Sequence, residues 1–325
     1  MFKFDGKSQR VIACPFVLTL AFACSAMAQA AEQAVLRIVV PFPAGGITDQ
    51  AARIVADQMG RQLGRTVVVE NRPGAGSRMG TDAIFKAPPD GNTLLFTNSS
   101  FSILPVIDPS VPAQRASSFV PLSMTASYGL QIVASKQVPA KTLPEFIAYA
   151  RARPGKLTYG SSGIGSGSHF AGEYFKSLTG TFLVHIPYRS TIDAVRDVAG
   201  GAVDLAFDAA AKPLIDTGRV TLLAVTNDRR DPRFPDAPTA SEAGLKPFVL
   251  MSWVGLLAPP GLPAAIAEQL SQAADLSRVD SSVKKRLDEI GLLPQGGPPS
   301  KLATMIKDES KLYRGIADKA RLKFE

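Results

Sequence analysis

The chain has 325 residues, a length typical of about two domains, and 46% of them are hydrophobic, enough to bury a sizeable core. Charged residues make up 20% and no low-complexity tract occurs, so the composition excludes a disordered or collagen-like protein. The net charge of +8 raises nucleic acid as a partner, but the longest basic run, 284–286, is soon followed by Asp288 and Glu289. Because cations and acids are interspersed elsewhere, we expect a mixed solvated surface and no nucleic-acid partner.

The first 30 residues have the pattern of a secretory signal peptide. Three cations within the first ten residues precede an apolar run over 11–23, and overlapping small-x-small cleavage sites follow at 26–30. A membrane anchor needs about 20 apolar residues, and this run is shorter. We therefore expect a signal peptide over residues 1–30 that is cleaved after Ala30, so that the protein is exported.

The two cysteines, Cys14 and Cys24, both lie in this segment. Cys24 is a poor lipoprotein site because the usual preceding Leu is absent, so lipidation is the weaker alternative. The mature chain then contains no cysteine, which excludes thiol catalysis, thiolate metal sites and iron–sulfur clusters.

Strand and helix patterns alternate over the first part of the mature chain. A buried strand over 36–40 and a glycine turn precede a helix from 47 to Gly64, for which Thr48 or Asp49 is the expected N-cap. The next predicted elements are a strand over 66–69, a helix over 77–86 and a strand over 93–97. This alternation predicts a parallel sheet with helices on both faces.

A stretch rich in Pro and Ser over 99–123 interrupts the pattern, which then starts again. The predicted strands lie over 130–134, 157–159, 182–186, 203–207 and 221–225, with helices from a capping box at Thr142, from Ser168 and from Thr191. After a strand over 253–257, three amphipathic helices are predicted near 263–276, 281–290 and 300–321. Since no strands remain for a third sheet, we expect this tail to pack on the first unit.

Two glycine-rich loops are the candidate binding segments. The first, Pro41–Asp49, joins a strand to a helix N-terminus, where unpaired N–H groups and the helix dipole favour anions. Gly45 and Gly46 let the backbone approach a ligand. Asp49 has an alternative role as an N-cap, because a carboxylate repels an anion unless it holds a water or a ligand amine.

The second loop, Tyr159–His169, contains four serines and four glycines between a strand and a helix. Its hydroxyls and amides could surround a carboxylate or phosphate without a full positive charge, and a flexible connection is the alternative. His169 falls in the first helical turn, where it is either a hydrogen-bonded structural residue or a catalyst.

Other chemistry is poorly supported. The segment Gly74–Gly80 resembles a dinucleotide-binding loop only weakly, because its third glycine is one residue late. No G-x-S-x-G or H-E-x-x-H motif occurs, and His169 and His185 are the only histidines. We therefore expect no cofactor, no metal and no catalytic residue; a secreted hydrolase or oxidoreductase that uses His169 is the alternative from another class.

The chain resembles the tripartite tricarboxylate transporter substrate-binding proteins, or Bug proteins, which are periplasmic solute receptors of Gram-negative bacteria. The resemblance covers the mature chain and is carried by segments 37–49, 67–76, 89–95, 156–166, 185–189, 201–208, 223–226 and 242–245, with His169 and Trp253. It implies an α/β, periplasmic-binding-protein-like fold in which two α/β domains are joined by two hinge strands, with the ligand cleft between them. Residues 31–128 and 252–325 would form domain 1, and 129–251 domain 2.

The resemblance also implies a function and a site. The protein would be a periplasmic monomer that captures a small carboxylate, an organic acid, acidic amino acid or aromatic acid, for the membrane subunits of a tripartite transporter. Presentation of the ligand to a membrane sensor kinase is the alternative. The implied ligand-binding residues are Phe42, Gly45, Gly46, Thr48, Asp49, Asn98, Ser99, Ser161, Ser162, Gly163, Ser166, Ser168, His169, Tyr188, Arg189 and Asp208.

Departures from the family pattern fall among the specificity positions. Ser190 stands where the family usually has Gly, and Phe101 is unusual for its segment. Phe101 and Arg189 together suggest an aromatic or extended acid as the ligand.

Overall fold

The computed structural model describes residues 35–111, 113–209, 211–275, 281–322 and 324, so the predicted signal peptide lies outside the described residues. The strands, in chain order, are β1 (Leu36–Val40), β2 (Val67–Asn71), β3 (Thr93–Asn98), β4 (Val120–Gly129), β5 (Gln131–Ser135), β6 (Thr158–Ser161), β7 (Val184–Pro187), β8 (Leu205–Asp208), β9 (Val220–Val225), β10 (Met251–Ala258) and β11 (Leu293–Pro294). The helices are α1 (Ile47–Leu63), α2 (Arg78–Phe85), α3 (Ser100–Ile107), α4 (Ala113–Ser117), α5 (Leu143–Arg151), α6 (Gly167–Thr179), α7 (Thr191–Gly200), α8 (Lys212–Asp216), α9 (Ala264–Ala274), α10 (Ser281–Glu289) and α11 (Pro299–Ala320).

Two sheets form the framework, with strand orders β11-β4-β10-β3-β1-β2 and β7-β6-β8-β5-β9. Strands β1, β2 and β3 are parallel, as are β6, β7 and β8. The prediction of a parallel first sheet is wrong for β4 and β10, because β10 pairs antiparallel with both β3 and β4. The reason is the chain path: β4 leads out of this sheet towards β5, and β10 brings the chain back.

The stretch over 99–123, predicted as a break, contains α3, α4 and the start of β4. Sequence patterning missed β4, although Ser123, Thr125 and Ser127 alternate with apolar residues as in a strand, because the start of β4 was included in the Pro- and Ser-rich stretch. All three polar residues are buried. Their burial is possible because neighbouring groups bond some of the hydroxyls; for example, the Ser123 hydroxyl donates to the Ala274 carbonyl at 3.3 Å. The capping box predicted at Thr142 is confirmed.

The C-terminal helices pack on the first sheet, as expected from the lack of further strands. Helices α9 and α10 contact α1, and α11 contacts α3 and β4. Helix α11 also contacts α6, and its Tyr313, Ile316 and Ala317 belong to the hydrophobic core around the second sheet. The last helix therefore joins the two sheet layers. Within the described residues, the structure shows no helix with the length and apolar character that a bilayer span requires.

The chain crosses between the sheets in two places, and hydrogen bonds hold the crossings together. The Leu130 amide donates to the Thr226 hydroxyl at 2.8 Å, and the Thr226 amide donates to the Leu130 carbonyl at 2.9 Å. The Leu250 amide donates to the Thr226 carbonyl at 3.0 Å. Gly129 is required beside them, because a Cβ there would overlap the buried side-chain amide of Asn227. These crossings form one end of the cleft described next.

Candidate functional site

A cleft of about 690 Å³ lies between the two sheets and is lined by residues of both. Four helices direct their N-terminal ends towards it, and their N-caps Gly46, Ser99, Ser166 and Ser190 all line its wall. The N-terminal end of a helix carries unpaired N–H groups and a partial positive charge. The convergence of four such ends makes this part of the cleft suited to an anion.

Asp49 stabilises the first loop from behind rather than capping α1. The N-cap of α1 is Gly46 and no side chain caps it, so the predicted capping by Thr48 or Asp49 is wrong. The buried Asp49 carboxylate accepts from the Gly45 amide at 2.9 Å, the Asn71 side chain at 2.9 Å and Arg53 at 3.1 Å. Burial disfavours its charge, but these hydrogen bonds outweigh burial and lower the pKa of Asp49.

Thr48 positions a cleft residue of the next strand. The Asn98 side-chain amide donates to the Thr48 hydroxyl at 3.0 Å, and its carbonyl oxygen accepts from the Ser100 amide at 2.9 Å. The buried Thr48 thereby fixes the orientation of Asn98, which lines the cleft.

The second loop presents a hydrogen-bonded set of hydroxyls. The Ser168 hydroxyl lies 3.2 Å from that of Ser162 and 3.1 Å from that of Ser166, and all three residues line the cleft. Ser168 also accepts from the Ser162 amide at 3.0 Å. Ser166 caps α6 by accepting from the His169 amide at 3.2 Å. Serine hydroxyls both donate and accept, so this set can turn donors towards a bound carboxylate.

Both histidines lie beneath the second loop. His169 stacks on His185 with ring centroids 4.4 Å apart, and His185 stacks on Tyr159 at 4.8 Å. His169 Nδ1 accepts from the Gly165 amide at 3.1 Å. Burial lowers the pKa of His169. Burial also lowers the pKa of His185, to about 4, and a second positive charge beside His169 would be unfavourable as well. Both imidazoles are therefore neutral at pH 7.

A serine–histidine pair does occur, but it is not the one that the sequence suggested. Ser161 Oγ lies 2.6 Å from His185 Nε2, whereas His169 contacts the loop backbone. Ser161 has no exposed surface, so a substrate in the cleft cannot reach its hydroxyl in this conformation. The alternative of a hydrolase built on His169 gains no support from this geometry.

The predicted site residues divide into two groups. Those that line the cleft are Phe42, Gly45, Gly46, Asn98, Ser99, Ser162, Ser166, Ser168 and Asp208. Those that do not line it are Thr48, Asp49, Ser161, Gly163, His169, Tyr188 and Arg189. Thr48, Asp49, Ser161 and His169 support the loops from behind. The Tyr188 hydroxyl instead donates to Asp197 at 2.6 Å, and burial followed by this bond raises the pKa of Tyr188 to about 12.

Sequence reasoning missed most of the end of the cleft beside the chain crossings. Residues there include Tyr128, Leu130, Leu250, Ser252 and Tyr313, which come from distant parts of the chain. Leucines and tyrosines at such positions look like ordinary core residues in the sequence, and Ser252 stands alone in an apolar strand. Ser190 also lines the cleft. In the sequence, this position is a departure from the family pattern.

The two residues that suggested an aromatic ligand lie away from the cleft wall. Phe101 is 2% exposed and packs edge-on against Phe119, with ring centroids 5.2 Å apart. Arg189 is exposed and does not line the cleft. Phe101 is thus a core residue, and neither side chain contributes to the cleft wall.

The comparisons with known proteins agree with this architecture. The family profile described as the tripartite tricarboxylate transporter family receptor matches residues 51–322. The chain belongs to this family. It is 32% identical over 305 residues to protein BugT of Bordetella pertussis, covering 93% of this chain and 94% of that protein.

Solved structures of similar proteins share the fold. The R. palustris protein Rpa4515 with adipate has a TM-score of 0.80 and 31% identity, over 90% of this chain and 99% of that one. MatC from Rhodopseudomonas palustris with bound malate has a TM-score of 0.77 and 31% identity, over 88% and 99%. This chain therefore has the periplasmic-binding-protein fold with two α/β units, as the resemblance implied.

The cleft of this receptor carries negative rather than positive side chains. Asp208 and Glu289 line it, and no Lys, Arg or His does so among the described residues. Within the same part of the chain, no group of three or more His, Cys, Asp or Glu side chains is placed to hold a metal ion. An anionic ligand would thus be held by backbone amides, hydroxyls and helix N-termini.

Proposed function

We propose that this protein is a periplasmic receptor that captures a small carboxylate in the cleft and delivers it to the membrane subunits of a tripartite transporter. The observation that carries the proposal is the convergence of four helix N-terminal ends on one cleft, with N-caps Gly46, Ser99, Ser166 and Ser190 on its wall. Relatives that hold adipate and malate support it.

In this proposal the carboxylate lies between the two loops. The first loop offers the backbone amides that follow Gly45, whose own amide donates to Asp49 and so fixes the loop. The second offers the hydroxyls of Ser162, Ser166 and Ser168. Hydrogen bonds to a charged acceptor are stronger than neutral ones, so several such donors can replace the water around the carboxylate without a cation.

The proposal includes the organisation and location of the chain. Residues 31–128 and 252–325 would form domain 1 and residues 129–251 domain 2, which is consistent with chain crossings near 129–130 and 226–250. The protein would act as a monomer after export by its cleaved signal peptide. Opening and closing about the crossings would admit and enclose the ligand, a movement known for periplasmic receptors.

Calorimetry on the purified protein tests the binding step. Dicarboxylates, tricarboxylates, acidic amino acids and aromatic acids form the panel, and at least one should bind with micromolar or tighter affinity. Ser168→Ala should weaken that ligand about tenfold, because it removes one hydrogen bond to a charged group. Ser177→Ala, on the exposed face of the same helix, is the matched control and should bind like the unaltered protein. A lack of binding across the panel contradicts the proposal.

Uptake measurements test the delivery step. Deletion of the gene should abolish uptake of the ligand that calorimetry identifies, and the intact gene should restore it. Unchanged uptake together with loss of ligand-dependent gene induction would instead support presentation to a sensor kinase.

A further inference from the structure

A second polar cluster lies at the end of the cleft beside the chain crossings. We call it the floor cluster and define it as Ser99, Tyr128, Ser252, Glu309 and Tyr313. All but Glu309 line the cleft, and Glu309 lies behind them on α11. The Ser252 hydroxyl donates to the Ser99 hydroxyl at 2.7 Å. The floor cluster is therefore connected by hydrogen bonds and faces a ligand through hydroxyl groups.

Glu309 is the buried carboxyl group of this cluster. It is 5% exposed and accepts from Trp253 Nε1 at 2.6 Å. Burial raises the pKa of Glu309 to about 7, although the polar side chains around it, Trp253 among them, act in the opposite direction. The group is thus about half ionised near pH 7 and fully ionised only at higher pH.

Two carboxylates, Glu309 and Asp208, act on the floor cluster. Tyr128 lies within the influence of both Glu309 and Asp208: burial and these two charges raise the pKa of Tyr128 to about 12. The groups that face Glu309 are Tyr313 on its own helix, Ser99 and Ser102 at α3, Trp253 on β10 and Tyr128 on β4. All of them are uncharged at pH 7. The floor cluster contains one helix N-cap, Ser99 of α3, whereas the other three N-caps on the cleft wall, Gly46, Ser166 and Ser190, lie outside it. The floor therefore has less of the partial positive charge that helix N-termini supply.

We propose that the floor cluster selects a ligand whose far end donates a hydrogen bond, as a hydroxyl or ammonium group does, and discriminates against a second carboxylate, with Glu309 as the residue that sets this preference. The inference rests on the proposed function, because one carboxylate must first be held between the two loops. It concerns the other end of the ligand, which that proposal leaves open.

Two physical effects produce the preference. A second carboxylate would enter an end of the cleft that already holds Glu309 and Asp208, and like charges in a partly buried site repel strongly. A donor group instead finds acceptors in the serine and tyrosine hydroxyls and in the cleft carboxylate Asp208. Rejection of one ligand by an unfavourable charge is a common source of specificity. Because Rpa4515 and MatC hold the dicarboxylates adipate and malate, this preference would set the present chain apart from both.

Glu309 does not reach the cleft surface and acts through the tyrosines, so it is a positioning residue. It follows that a dicarboxylate can bind well only when Glu309 is protonated. Dicarboxylate binding should then take up a proton and tighten as the pH falls through about 7, the pKa of Glu309. A ligand with a hydroxyl end should show no such dependence over this range.

The test uses matched ligand pairs of equal length, from about four to eight carbons. Each pair contains an α,ω-dicarboxylate and the corresponding ω-hydroxycarboxylate, and affinities are measured by calorimetry at about pH 8 on the full mature chain. We expect the tightest hydroxy acid to bind at least about tenfold more tightly than its dicarboxylate partner. Glu309→Gln should reduce that ratio to within about threefold. The control Asp308→Asn removes a charge from an exposed position of the same helix and should preserve the ratio.

The outcomes separate this inference from the proposed function. If dicarboxylates bind as tightly as hydroxy acids at pH 8, the inference is wrong while the receptor function stands. If neither series binds at any length and the wider carboxylate panel is also silent, the receptor function itself fails. A second measurement needs no variant: the dicarboxylate affinity of the unaltered protein should rise about tenfold from pH 8 to pH 6. A flat profile would overturn the role of Glu309 even if Glu309→Gln failed to fold.

Discussion

The two loops that face each other across the cleft both present hydrogen-bond donors, but they differ in the donor groups and in what supports them. The first loop presents backbone amides and is held by charge, because the buried Asp49 binds Gly45, Asn71 and Arg53 behind it. The second loop presents side-chain hydroxyls and is supported by two neutral histidines. In the proposed function, the charge that holds the first loop therefore lies behind the bound carboxylate, and the second loop uses no charge.

The strongest test of this comparison removes the charge behind the first loop. Asp49→Ala should destabilise the protein by about 1–3 kcal/mol, because it leaves the Gly45 amide without its acceptor and removes one acceptor each from Asn71 and Arg53. Ligand affinity should fall at least about tenfold as the loop loses its shape. Urea unfolding and calorimetry measure the two effects.

Asp57→Ala is the matched control for this variant, since Asp57 lies on the same helix with a half-exposed side chain and pairs with Arg61 and Arg286. Surface ion pairs contribute about 0–1 kcal/mol, so its effect should be small and ligand binding should persist. Equal losses in the two variants would show that Asp49 has no special role in the loop.

Acidification should affect the second loop before the first. The pKa values of His169 and His185 lie below the ordinary value of 6.5, so the unfolded chain binds more protons and stability is lost as the pH falls from about 6.5 towards 4. The pKa of Asp49 lies below 3.8, so its contribution persists above that value and is lost only at lower pH. Hydrogen exchange at about pH 5 should therefore show faster exchange over 161–168 than over 41–49.

A histidine variant tests whether the imidazoles cause this acid sensitivity. His185→Gln removes one titrating group and should reduce the acid sensitivity of the second loop. If the first loop loses protection at the same pH as the second, the histidines do not control the difference between the two loops.

The smallest effect is expected at Ser190, which caps α7 within the second sheet unit. Its hydroxyl already donates to Asp193 at 2.7 Å and accepts from the Asp193 amide at 3.3 Å. Ser190→Gly should therefore cost only a few tenths of a kcal/mol, since glycine is a tolerated N-cap, and should change ligand affinity less than about threefold. A larger change in affinity, measured by calorimetry, would show that the Ser190 hydroxyl leaves Asp193 to bind the ligand.

The sequence predicted the two loops because their signals are local. Glycines and serines between a strand and a helix identify a loop at the carboxyl end of a strand, whatever the rest of the chain does. The role of Asp49 was not predictable in this way, because it depends on Asn71, which lies on a different strand. A short polar residue at a helix start reads as a cap until its distant partners are known.

The floor of the cleft was not predictable either. Tyr128, Ser252 and Tyr313 come from β4, β10 and α11, and only the folded chain brings them together. Strand direction failed for a similar reason, since local periodicity does not reveal that β10 returns antiparallel to β3. Phe101 and Arg189 were overinterpreted, because a single unusual residue shows neither burial nor direction.

The most direct test of the central claim is a crystal structure of the protein with a carboxylate that calorimetry has identified. The account predicts that the carboxylate oxygens lie about 2.7–3.2 Å from amides of the 42–47 segment and from the hydroxyls of Ser162, Ser166 or Ser168. No Lys or Arg side chain should contact the carboxylate. A carboxylate paired with Arg189, or bound outside the cleft, would contradict the account.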